Sequence, residues 1–205
     1  MDTVKYTKND LAVLAELLKE GEVIAFPTDT VYGLGVVYHN EEALENLKLA
    51  KGRPDEKPIP TMVADLSQIE SIAEVNPRSK ALIENFMPGA FTIILKKKDT
   101  LPDYITNGFP TVGIRMPDDE FVLNLIKACE GPMLVTSANL SDQPSGTTDE
   151  EVLKQLDGRI DGIVLGESGA TQASTIVDVS TGELKIIRSG KISEEAIQKV
   201  WEDAA

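Results

Sequence analysis

The sequence predicts an α/β fold, and three observations carry that prediction. Short apolar strands alternate with helices that bury one face, from Asn9 to Trp201. Several strands end in polar groups, which is where open α/β sheets build ligand crevices. The 205 residues, 41% hydrophobic and 26% charged, suffice for one domain with a substantial core. No repeat, low-complexity run or dividing linker interrupts the pattern, so residues 1–205 read as a single domain.

Asn9 or Asp10 caps a first helix over Leu11–Lys19, in which Leu11, Leu14, Leu17 and Leu18 share a face and Gly21 closes the end. Val23–Phe26 is a short buried strand. The loop after it, Pro27-Thr28-Asp29-Thr30-Val31-Tyr32-Gly33-Leu34-Gly35, is polar at a strand end, and its glycines permit close backbone approach or positive φ. It is a poor phosphate fingerprint, because no third glycine completes G-x-G and no G-K-[ST] follows. Glu41–Lys51 is a second helix, stopped before Arg53-Pro54. Ile59–Val63 reads as a strand. Asp65 or Ser67 starts a helix through Ile72, and Pro77–Phe86 forms another.

Phe91–Lys97 is an apolar strand, and Lys96–Lys98 read as a solvated end that discourages edge pairing. Pro102–Gly108 is a loop and Thr111–Pro117 a strand. Asp118 or Asp119 starts a helix to about Ala128. Met133–Thr136 is a buried strand followed by Ser137-Ala138-Asn139 and a Ser/Gly/Pro-rich loop, Ser141–Thr148. Asp149–Leu156 is a helix, Gly162–Leu165 a strand and Gly166–Gly169 a turn. Ser174–Val179 and Leu184–Ile187 form a hairpin, and Ser193–Trp201 the last helix.

Charge narrows the function classes. A formal net charge of -14 repels phosphate backbones at long range and argues against non-specific nucleic-acid binding. Within this acidic chain, Lys51, Arg53 and Lys57 cluster in seven residues. Of five arginines, Arg53, Arg115 and Arg188 sit at element ends, whereas Arg78 and Arg159 read as helix-surface residues. Taken singly each is a surface cation or helix C-terminal complement; together they point to an anion pocket. One cysteine, Cys129, excludes an internal disulfide and reads as a buried core residue in an intracellular, cytoplasmic protein. One histidine, His39, excludes a histidine-based metal cluster. Neither a signal peptide nor a membrane-spanning apolar run is visible.

In chain order, FPTDTVYGLG (Phe26–Gly35), Lys51-Gly52-Arg53-Pro54, PGAFT (Pro88–Thr92), TVGIRMP (Thr111–Pro117), VTSAN (Val135–Asn139), STIVD (Ser174–Asp178) and Arg188-Ser189-Gly190 resemble the YrdC/YciO family, the L-threonylcarbamoyladenylate synthases. The combination is specific where each motif alone is not. The resemblance runs from about residue 8 to 200 and matches the minimal form of the family. It implies a twisted mixed sheet with flanking helices around a central, positively lined cavity. It implies a nucleotidyltransferase that converts L-threonine, bicarbonate and ATP to threonylcarbamoyl-AMP and pyrophosphate. Mg²⁺ would enter with ATP and no metal would be held by the protein alone. The product would pass to a threonylcarbamoyl transferase for tRNA modification, with tRNA met only indirectly or weakly.

The resemblance also implies roles. Lys51 and Arg53 would be catalytic, binding phosphates or carbamate. Thr30, Arg115, Thr136 and Ser174 would bind threonine. Arg53, Lys57, Thr111, Ser137, Asn139 and Arg188 would bind the nucleotide. Two departures stand out: Met62 lies near where some members carry a histidine, and Ala173 precedes Ser174 where some carry glutamate. Two other readings remain open. One is an RNA-binding module, which the net charge and the 5% aromatic content oppose. The other is a YrdC-like paralogue with different carbamoyl or nucleotide chemistry.

Overall fold

Apolar alternation along the chain becomes one twisted mixed sheet with helices on both faces. The computed structural model describes residues 2–52, 57–169 and 172–205. In chain order its elements are β1 (Val4–Tyr6), α1 (Leu11–Lys19), β2 (Ile24–Phe26), β3 (Gly33–Val37), α2 (Glu41–Lys51), β4 (Thr61–Met62), α3 (Leu66–Ile72), α4 (Pro77–Phe86), β5 (Phe91–Lys96), β6 (Thr111–Arg115), α5 (Glu120–Ala128), β7 (Met133–Ser137), α6 (Asp149–Leu156), β8 (Gly162–Val164), β9 (Thr175–Asp178), β10 (Lys185–Arg188) and α7 (Glu194–Asp203). Short 3-10 turns cover Lys8–Asp10 and Asp103–Thr106.

The helices start where their caps say they should. The side chains of Asn40, Asp65, Asn76, Asp119, Thr148 and Ser193 each accept the backbone N–H of the third residue of the following helix, whereas Asp10, at the start of α1, makes no such bond. The α2 helix ends at Gly52, whose φ of 59° is the left-handed C-cap that glycine adopts without strain.

Among the described residues the strands are ordered β1-β8-β2-β3-β7-β4-β6-β5-β9-β10. Parallel pairs (β1/β8, β2/β8, β4/β6, β5/β9) alternate with antiparallel ones (β2/β3, β3/β7, β4/β7, β5/β6, β9/β10). Ala25, Leu34, Val36, Leu134 and Ile163 point to one face and pack with α2, α3, α4, α6 and α7. Ile24, Phe26, Val37, Met133 and Val135 point to the other and pack with α1 and α5. Two helices cannot cover the whole of that second face. Over β4, β5, β6 and β9 the sheet stays open, and the half-buried positions Thr111, Gly113 and Arg115 of β6 lie there.

Four expectations are revised. Gly33-Leu34-Gly35 is not loop but the start of β3, all of it buried. Neither glycine has positive φ; a Cβ on Gly33 would lie 2.8 Å from Val135 Cγ1, and one on Gly35 3.0 Å from Phe26 Cε1 and Met133 Cε. Their role is close approach. The strand expected at Ile59–Val63 shrinks to two residues, since Pro58 and Pro60 have no N–H for a ladder. Lys96–Lys98 do not guard an edge, because β5 lies between β6 and β9; they bind the Glu70 carbonyl of α3, Glu74 beyond it and Asp103. Arg159 is not on a helix; it follows α6 in a turn and donates to the Ala50 carbonyl at 3.1 Å.

Candidate anion-binding site

The open part of the sheet carries a cavity of about 490 Å³. It is lined by strand ends and loops far apart in sequence: Thr28 and Thr30–Gly33 around the end of β2, Lys57, Pro58, Pro60 and Met62, Thr92, Arg115, Val135–Ser137, Ser145, Ala173, Ser174, Ile176 and Arg188. Among the described residues, three cations and a row of hydroxyls face it and no carboxylate is in the lining.

Each wall has a local cause. In the loop after β2, Thr28 Oγ1 accepts the Thr30 N–H at 3.1 Å and donates to the Val31 carbonyl at 2.7 Å. That self-bonded turn leaves Thr30 buried and its hydroxyl 2.9 Å from Arg115 Nη1. Arg115 Nη2 also pairs with Asp29. Beneath the turn, Tyr32 is fully buried and donates its phenol proton to the Val164 carbonyl at 2.7 Å. Burial, with the charges of Asp149 and Glu167, pushes that phenol well above the ordinary tyrosine range, so it stays a donor.

The opposite wall is Ser174. Its hydroxyl lies 3.0 Å from Thr92 Oγ1, and Arg188 donates to its carbonyl from Nε at 3.1 Å and Nη2 at 2.9 Å. Arg188 reaches this face because of a bulge in β10. Ile186 opposes Val177 and packs on the covered face, yet Arg188 opposes Ile176, which faces the cavity. The extra residue, Ile187, re-aims the arginine. Burial and then the charge of Arg115 push the Arg188 guanidinium below the ordinary arginine value.

Of the residues singled out from sequence, Thr30, Lys57, Arg115, Thr136, Ser137, Ser174 and Arg188 meet in this cavity. Arg53 lies outside the described residues. Thr111 is at the far end of β6, four residues or about 13 Å from Arg115, and does not line the cavity. Lys51 and Asn139 lie behind the wall rather than in it. Lys51, 3% exposed, donates to the carbonyls of Ser137 at 2.5 Å and Asn139 at 2.8 Å. Asn139, 6% exposed, donates from Nδ2 to the Leu140 and Gln143 carbonyls. In the structure, both hold the chain leaving β7 in shape. Thr28, Thr92, Ser145 and Ile176 join the lining without having been singled out. Thr28, Thr92 and Ile176 lie within FPTDTVYGLG, PGAFT and STIVD, and Ser145 in the Ser/Gly/Pro-rich loop. Met62, near the position where some family members carry histidine, lines the cavity and makes that wall apolar.

Hydroxyls, carbonyls and cations offer no carboxylate to a divalent ion, and no cluster of three or more His, Cys, Asp or Glu suited to a metal occurs among the described residues. The donor set suits anions: guanidinium forks for carboxylate or phosphate, and hydroxyls for the remaining oxygens.

Fold and cavity define a class, the mixed-sheet α/β proteins with a cationic, hydroxyl-rich crevice at the strand ends. This chain belongs to the Sua5/YciO/YrdC family, whose model, described as "Telomere recombination", matches residues 16–190. It is 43% identical over 203 residues to the threonylcarbamoyl-AMP synthase of Bacillus subtilis (strain 168), covering 97% of this chain and 59% of that protein. It is similar in structure to P. abyssi Sua5 complexed with L-threonine (TM-score 0.89, 35% identity, 97% of this chain and 60% of that one). It is also similar to E. coli YciO (TM-score 0.82, 26% identity, 94% and 96%). The chain thus spans about three fifths of the length of the Bacillus and Pyrococcus proteins.

Proposed function

We propose that this chain is an L-threonylcarbamoyl-AMP synthase, a nucleotidyltransferase that supplies the activated group for threonylcarbamoyladenosine in tRNA. The observation that carries the reading is convergence: motifs spread from Thr30 to Arg188 meet in one cavity that, among the described residues, is lined by three cations and no carboxylate. The name of the Bacillus relative and the threonine in the Pyrococcus complex support the choice of substrates.

The reaction needs no enzyme nucleophile. The amine of threonine and bicarbonate give a carbamate and water. A carbamate oxygen attacks the α-phosphorus of ATP, and pyrophosphate leaves. Two anions must be held in line while charge moves to the leaving group, so positioning and charge stabilisation dominate. Arg115 receives the threonine carboxylate, with Thr30, Thr136 and Ser174 around the amino acid. Lys57 and Arg188 face the phosphates, and Arg53, though outside the described residues, belongs with them by motif. Ser137 lies where the two substrates meet. Lys51 and Asn139 act by shaping that wall. Mg²⁺ enters as part of the nucleotide substrate.

No helix among the described residues is long and apolar enough to cross a membrane, which accords with work in the cytoplasm beside a transferase that accepts the product. Pyrophosphate release from ATP at fixed Mg²⁺ tests the reading. Release that requires both L-threonine and bicarbonate is expected; release from ATP alone would overturn it.

A further inference from the structure

Asp29 does not line the cavity, yet it holds a residue that does. One carboxylate oxygen accepts from Arg115 Nη2, and the other accepts the Asp118 N–H at 3.1 Å, just before α5. The two side chains are 13% and 12% exposed, so the ion pair is largely shielded from water. Thr30 takes Nη1 of the same guanidinium at 2.9 Å. Arg115 Nε is buried and has no hydrogen-bond partner among the described residues. Both Nη groups are therefore tied to consecutive residues of one loop. The Arg188 cation lies near enough to feel Arg115, and among the described residues Asp29 is the carboxylate paired with Arg115.

We propose that Asp29 is a positioning residue. It fixes the plane of the Arg115 guanidinium, and through the Asp118 N–H it ties the β2–β3 loop to the start of α5. The cavity then meets an incoming amino-acid carboxylate with an oriented fork instead of a mobile side chain. The identity of that amino acid as threonine rests on the synthase reading; the orientation of Arg115 rests on geometry alone. Because Asp29 works through Arg115, its removal affects the amino acid and not the nucleotide.

Two measurements on the whole chain test this. The first is side-chain ¹⁵N NMR of the arginines, with Arg115 assigned by its loss in Arg115→Lys. Slow rotation of the Arg115 Nη groups, seen as separate resonances, is expected in the wild type, and fast rotation in Asp29→Asn. A freely rotating Arg115 in the wild type overturns the proposal without any variant. The second is steady-state pyrophosphate release. Asp29→Asn should raise KM for L-threonine about 10- to 100-fold while KM for ATP stays within about twofold. In an Arg115→Ala background, Asp29→Asn should add nothing. Equal effects on both substrates, or additive effects in the double variant, would overturn the proposal. If the wild type shows no threonine-dependent release, the synthase reading fails, and the NMR measurement alone decides whether Asp29 orients Arg115.

Discussion

Lys51 shows how a side chain chosen for its charge can serve through its hydrogen bonds. A buried ammonium is tolerated when its protons are taken, and the carbonyls of Ser137 and Asn139 take two of them. Lys51→Met takes a donor from both carbonyls, of which that of Ser137 keeps the Asn139 N–H at 3.0 Å, and should cost about 1–3 kcal/mol. A urea midpoint that falls with an unchanged m-value is the expected result, and an unchanged midpoint would show that the chain leaving β7 does not depend on Lys51. Cys129 makes the complementary case. Burial pushes its thiol from 9.0 to about 11, against a smaller opposing effect of Lys19. The folded pKa is raised, so the native state binds more protons between these values than the unfolded chain. Its contribution to stability is complete below pH 9 and is lost as pH rises toward about 11. Cys129→Ala should flatten the alkaline stability curve in that window, read by denaturant melts at a series of pH values.

At the level of elements, the site depends on backbone contacts that no side-chain motif announces. Gly190 follows β10 and presses on the residues that lead into β9, Ser174 among them: a Cβ there would lie 2.6 Å from the Ala173 carbonyl oxygen and from the Thr175 nitrogen. Gly190→Ala must move β9 or β10, and we expect it to cost about 1–3 kcal/mol and to raise KM for threonine as Ser174 shifts. Gly182 is the control. It has φ +87° in an open turn with nothing within 4 Å, so Gly182→Ala should cost about 1 kcal/mol and leave KM unchanged. Thermal melts and kinetics on both variants separate crowding at the site from backbone strain in a turn.

For the whole molecule, a chain of net charge -14 concentrates Lys57, Arg115 and Arg188 in one crevice. Its outer surface repels a polyanion while the crevice accepts a small one. A tRNA gel shift at about 150 mM salt should therefore show no retained complex. Tight binding that weakens steeply with added salt would instead favour the RNA-binding reading.

What the sequence determined by itself was the α/β class, the position of nearly every helix, the caps Asp65 and Asp119, and the motif set. These rest on local physics: an Asp, Asn, Ser or Thr side chain reaches its own helix N-terminus, and burial imposes a period within one element. Tertiary structure decided the rest, because pairing partners are remote. β1, with exposed side chains, is a strand only because β8 accepts it. Gly33 and Gly35 are strand residues because Phe26, Met133 and Val135 need the space. The same remoteness sorts the site. Arg115 and Thr111 share a strand face but stand at opposite ends, and only the Arg115 end meets Asp29 and Thr30. Lys51 lies behind the wall because α2 ends beneath the β7 exit, and Arg188 faces inward because Ile187 bulges. Which side of a wall a cation occupies depends on register and crossing elements, and neither is written within the motif that carries it.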